Sequence, residues 1–233
     1  DLGMSRGLGD VYKRQDRNHY IHSKGHSVEA LYTVLCDQGF FSRKDLEKLN
    51  HFNSHFIGHP TRKILGIEHN TGALGHGLSV AVGLALSKKI DQKTNKVFSL
   101  LGDGELSEGS VWEACTTASK YQLDNLIVII DRNDLQITGK TEEVNPIEPI
   151  DKKFEAFGFE TISTNGNNIS ELLNVFKEIP VQKNKPTVII AKTTKGSGVS
   201  FIENQINWHH KVPSEDEYGR AISELNEKLN SYE

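Results

Sequence analysis

Three short runs constrain the fold of this chain more than any other feature: VFSLL (97–101), LIVIID (126–131) and TVIIAKT (187–193). Each has the length of a strand, and LIVIID is β-branched and apolar on both faces. A strand of that kind has to be covered on both sides, which is the situation of a parallel sheet in an α/β protein. The segments between the runs carry helical spacing. Val28, Leu31, Tyr32 and Leu35 share one face of 27–38, and Gly39 stands where a helix would end. Ser42-Arg43-Lys44-Asp45 has the form of a capping box opening a short helix with Leu46 and Leu49. Further helices are expected over 78–90, over 108–121 with Trp112, Cys115 and Ala118 inward, over 170–179 and over 214–230, with FETIS (159–163) as another strand. The alternation predicts a doubly wound, mainly parallel α/β sheet with helices on both faces. Ligands of such sheets bind outside the carboxyl ends of the strands.

Composition narrows the function classes. Acids outnumber bases by 31 to 27, a net charge of −4, so the chain lacks the basic excess of a general nucleic-acid binder. No apolar run approaches the roughly 20 residues of a membrane helix. Two cysteines, Cys36 and Cys115, both in helical patterns, make no disulfide framework, and a reducing cytoplasm is expected. Residues 1–15, DLGMSRGLGDVYKRQ, show neither helical nor strand periodicity and no signal-peptide core. They are expected to be extraneous or disordered, leaving 16–233 as the folded domain.

Two candidate ligand sets fall at strand carboxyl ends. Asp103 lies between Gly102 and Gly104 after the 97–101 run, and Asn133 follows the 126–131 run. One helix joins the two strands, so they are expected to be neighbours. A carboxylate beside an amide oxygen makes a hard, oxygen-only site that suits Mg²⁺ or Ca²⁺ and not zinc. The flanking glycines and the following helix start could admit a diphosphate. The alternative for GDG alone is a tight strand–helix turn in which Asp103 merely caps. A dinucleotide fingerprint fails because Ser107 stands where its third glycine would be, and no Walker sequence is present. Eight of the ten histidines fall between His19 and His76. His51, His55 and His59 are spaced i, i+4, i+8, but Gly58 and Pro60 argue against one continuous helix there.

GDG (102–104) followed by Asn133 resembles the thiamine diphosphate-binding signature, and its surroundings resemble the N-terminal part of transketolase. SKGH (23–26), IGHP (57–60), NTGALGHG (70–77), GDGELSEG (102–109), Gln136-Ile-Thr-Gly139, TTKGSGV (193–199) and WHHKVP (208–213) stand in that family's order. The resemblance implies Mg²⁺ or Ca²⁺ held by the side chains of Asp103 and Asn133 and by the Leu135 carbonyl. It implies thiamine diphosphate against Gly72, Leu74, Gly102, Asp103, Gly104, Glu105 and Asn133. His26, His59 and His210 match substrate-channel histidines, His210 being preferred to His209 by its distance from Pro213. Glu108 matches a buried acid that links paired active sites. His51, His55, His69 and His76 match no role.

The same resemblance implies ketol transfer between sugar phosphates in the cytoplasm. It also implies a C-terminal partner subunit carrying the pyrimidine-binding domain, and homodimer contacts within a heterotetramer. A subunit of another thiamine diphosphate enzyme (a ketoacid decarboxylase or dehydrogenase) and a non-catalytic partner that keeps the fold as an interface are the alternatives. The family's first histidine element, a Ser-Gly-His-Pro-like segment, has no counterpart, and residues 1–15 stand in its place.

Overall fold

The computed structural model describes residues 16–230, and the segment 1–15 lies outside them. Strands β1 (His19–His22), β2 (Val97–Gly102), β3 (Leu126–Arg132), β6 (Glu160–Asn165) and β7 (Thr187–Lys192) form one sheet in the order β1-β2-β3-β7-β6. Every neighbouring pair is parallel. The remaining strands, β4 (Leu135–Gln136) and β5 (Gly139–Lys140), make a small antiparallel ribbon just after β3. The helices are α1 (Val28–Asp37), α2 (Arg43–Leu46), α3 (His76–Ile90), α4 (Gly109–Lys120), α5 (Thr141–Val144), α6 (Ile150–Ala156), α7 (Ile169–Glu178) and α8 (Glu215–Asn230). Among the described residues no helix is long and apolar enough to cross a membrane.

Strand order explains how the helices divide between the faces. From β1 through β3 and on to β6 the chain moves one way across the sheet, so right-handed crossovers put α3, α4 and α6 on the same face. From β6 it steps back to β7, which sends α7 to the other face. The buried side chains follow this division. Leu126, Val128 and Ile130 of β3 join the main core with Leu78, Cys115 and Phe154. Ile127 and Ile189 meet Ile179, Phe98, Ile162 and Phe176 on the opposite side. The expected double winding is therefore present, and β2 and β3 are neighbours, with Gly102 in register with Asp131.

Most expected elements form within one or two residues of their expected ends. The Ser42–Asp45 capping box is made, and Gly39 takes the left-handed conformation, φ 79°, just past α1. The sequence pattern does not mark β1, α5, α6 or the β4–β5 ribbon. Strand β1 is hard to see because HYIH carries two histidines. His22 is nonetheless buried, its ring bonded to Tyr20 Oη at 2.7 Å and Ser27 Oγ at 2.9 Å. Helix α6 is a short turn behind Pro149, yet it delivers the fully buried Phe154 to the core. Phe154→Ala is expected to cost about 3–5 kcal/mol of stability, measurable by urea denaturation, with the far-ultraviolet spectrum unchanged.

Candidate functional site

The loops at the carboxyl end of the sheet converge on two buried carboxylates. Asp103, 2% exposed, follows β2 directly. Its Oδ2 accepts the backbone N–H groups of Asn133 (3.0 Å) and Asp134 (2.7 Å) and the Arg132 guanidinium (3.1 Å). Among the described residues its Oδ1 accepts only the N–H of Gly104, at 2.8 Å. One carboxylate thus ties the end of β2 to the end of β3, which is more than a local cap. Burial raises its pKa, against the pull of Arg132 and the two amides of Asp134 and Gly104.

Glu105, also 2% exposed, is the second brace. Its Oε1 accepts the Gly75 N–H at 2.8 Å and the Ser23 hydroxyl, while Oε2 accepts the Gly102 N–H at 3.1 Å. Glu105 and the Gly102 amide, both expected against the cofactor, are bonded to each other within the protein. Burial raises this carboxyl as well, opposed by Ser23 and the amides of Gly75 and Gly102.

Glycines let the loops close on one another. A Cβ on Gly72, at φ 138°, would lie 2.7 Å from the His59 ring, and one on Gly25 would lie 2.8 Å from the Gly72 backbone. The SKGH, IGHP and NTGALG segments therefore meet around His59. Leu74 is half-buried beside them, and Gly104 backs onto the Gln136 side chain.

Histidine and lysine side chains face this cleft. The His26 ring lies 5.2 Å from that of His209, and His210 packs edge-on against His209 at 4.7 Å. The ring brought against His26 is His209, while the expected His210 packs on His209 and is exposed. Spacing from Pro213 carries no information about which of two adjacent rings turns inward. Lys24 is buried and ion-paired with Asp131, which also accepts the Thr193 hydroxyl. Despite burial, Lys24 and Thr193 hold the Asp131 carboxyl below its usual range. Withdrawal from water pushes His26 down to about 4, helped by the charges of Lys24, Lys195, His59 and His210. The same influences, burial first and then Lys195 and His26, take His209 to about 4. Burial and then Lys24 also lower the ammonium of Lys195. Two lysines, Lys24 paired with Asp131 and Lys195 beside it, thus bring positive charge to the cleft, and such charge favours an anion. Lys24 and Lys195 escaped notice in the sequence although each sits inside a quoted segment, SKGH and TTKGSGV.

Glu108 is exposed on this chain and makes no side-chain cap for α4, so burying it requires another surface. His51, His55, His69 and His76 are exposed, and among the described residues no three His, Cys, Asp or Glu side chains gather as a metal-binding group. The oxygen set is different in kind: one carboxylate, one amide and one carbonyl. Among the described residues Asp103 Oδ1 has a single partner, and the buried Asn133 Oδ1 accepts only the Leu135 N–H, at 3.2 Å. Both keep a lone pair for a hard cation, so these residues fit a metal–diphosphate group.

Residues 10–228 match the family described as transketolase, thiamine diphosphate binding domain. The chain belongs to this family. That match begins inside the segment 1–15. Over 224 residues, 96% of this chain and 80% of the relative, it is 45% identical to an apulose-4-phosphate transketolase subunit of Phocaeicola vulgatus. It is 37% identical to the 6-deoxy-6-sulfo-D-fructose transketolase subunit SqwG of a Clostridium species, covering 77% of that protein. The crystal structure of Campylobacter jejuni transketolase superposes with a TM-score of 0.84 at 33% identity, over 91% of this chain and 34% of that one. The chain is thus a transketolase-type transferase subunit with a thiamine diphosphate-binding fold, and it spans about a third of the solved transketolase.

The depressed histidines set a pH dependence. His22, His26 and His209 all lie at about 4, below the roughly 6.5 of an unfolded histidine. Between those values the unfolded chain binds protons that the folded chain refuses, so stability is full above about pH 6.5 and falls as the pH drops toward 4. Thermal melts across this window should show the decline. By NMR, His26 should titrate near 4 in the free chain and move upward when inorganic diphosphate offsets Lys24 and Lys195. A His26 midpoint at the ordinary value without added anion would contradict the crowded cleft.

Proposed function

We propose that the chain is the diphosphate-holding subunit of a two-chain transketolase that moves a two-carbon ketol unit from a ketose phosphate to an aldose phosphate in the cytoplasm. The observation that carries this reading is the pairing of Asp103 and Asn133 at adjoining strand ends, beneath a cleft lined by Lys24, Lys195, His26, His59 and His209. Asp103 and Asn133, with the Leu135 carbonyl, would hold Mg²⁺ or Ca²⁺, and the loops of Gly72, Leu74 and Gly104 would lie beside the diphosphate. Thiamine diphosphate, when bound, supplies the electron sink for breaking and making the carbon–carbon bond.

The histidines have the protonation state that such a transfer requires. His26 and His209, lying at about 4, are neutral near pH 7. A neutral imidazole can donate its N–H to an oxygen gaining negative charge and can accept a hydroxyl proton at its other nitrogen. His59, lying against Gly72, faces the same cleft and would orient a sugar hydroxyl. The lysines favour the phosphate end of the ligands.

The naming of relatives as subunits supports a C-terminal partner chain, which would close the open side of the cleft. Glu108, exposed at the start of α4, supports a second copy of this chain on that side, giving a heterotetramer. The test is ketol transfer measured with this chain, the partner subunit, thiamine diphosphate and Mg²⁺, each omitted in turn. Activity is expected only in the full mixture. Asp103→Asn and Asn133→Ala should abolish most of the thermal stabilisation given by thiamine diphosphate, and His26→Ala should lower turnover about 10²–10³-fold. Cofactor stabilisation undiminished in both site variants would refute the assignment of the metal and diphosphate site.

A further inference from the structure

The last residue of β3 is an arginine whose side chain is only 7% exposed. Its Nη1 lies 3.1 Å from Asp103 Oδ2 and 2.9 Å from Asp134 Oδ1, and donates to Thr141 Oγ1 at 2.6 Å. Nε donates to Glu148 Oε1 at 3.1 Å, and Nη2 lies 2.9 Å from the same oxygen and 3.5 Å from Glu142 Oε1. Of the four acids only Asp103 is buried; the side chains of Asp134, Glu142 and Glu148 are 70%, 40% and 47% exposed. A guanidinium keeps its charge at any working pH. It is therefore a permanent counter-charge for Asp103, and a permanent like charge for any cation that shares that carboxylate.

Resting on the function proposed above, we propose that Arg132 makes metal loading depend on the diphosphate. In the empty chain the guanidinium balances the buried Asp103, so a divalent cation arriving alone meets a carboxylate already paired and a positive neighbour a few ångströms away. Like charges so close repel strongly wherever the surroundings are less polar than water. Lys24 and Lys195, on the same cleft, add to the opposition. A diphosphate brings several negative charges and reverses the balance, so metal and diphosphate enter together. Glu142 and Glu148 give the guanidinium a second hold on its other side, so Asp103 can turn its charge to the metal while Arg132 stays paired. A lone metal would bind too weakly to lock the site in an unproductive form.

The competing account is that Arg132 only pins the 141–148 segment to β3. Mn²⁺ binding to the full chain, followed by electron paramagnetic resonance with and without saturating inorganic diphosphate, separates the two. In the wild type, diphosphate should tighten Mn²⁺ by about 30-fold or more. Arg132→Met should tighten Mn²⁺ alone about 10-fold and shrink that coupling to a few-fold. The double variant Glu142→Gln/Glu148→Gln loosens the segment but leaves the guanidinium on Asp103, and should bind lone Mn²⁺ no more tightly than the wild type. Arg132→Lys keeps the charge and should keep the coupling, which provides the decision if Arg132→Met does not fold.

The inference is overturned if Arg132→Met leaves the coupling unchanged, if the double variant reproduces its effect, or if Arg132→Lys loses the coupling. Wild-type coupling that is intact but insensitive to position 132 defeats this inference alone. A wild-type chain that binds no Mn²⁺ at any diphosphate concentration defeats the proposed metal site as well.

Discussion

The Asp103 carboxylate is the interaction on which the rest of the site depends. Two parallel strands do not by themselves fix the positions of the loops that leave them, because the ladder ends where the register ends, at Gly102 and Asp131. Asp103 continues the connection past that point by accepting the first two amides beyond β3. The geometry of Asn133 and Leu135 is inherited from those bonds. The cost is a buried carboxylate, and its raised pKa records that the surrounding donors do not fully replace water.

Around the cleft the acids Asp103, Glu105 and Asp131 are each held by amides, hydroxyls or a cation. Lys24 is buried in its pair with Asp131, and Lys195 and the rings of His26 and His209 are close enough to influence one another.

Where a side chain's role followed from its apolar character, the sequence was a sufficient guide. LIVIID had to be a doubly covered strand, and GDG had to sit at a strand's end, so the sheet and the position of Asp103 were legible. Legibility failed where polar residues were buried by partnership. HYIH does not read as a strand, because its burial rests on the Tyr20–His22–Ser27 bonds and not on apolar surface. An arginine closing a strand reads as solvated until Asp103, Thr141 and Glu148 are seen around it. His209 and His210 are chemically identical, and only the fold decides which ring meets His26.

The Glu105 brace has a consequence for how the site holds together. Its three partners, Ser23, Gly75 and Gly102, belong to stretches separated by dozens of residues and delivered by β1, the loop before α3 and β2. The bond to Gly102 is local, three residues from Glu105, whereas those to Ser23 and Gly75 reach across the chain. One side chain is therefore the shared tie of two distant loops to the end of β2, and a change at Glu105 alone would release both.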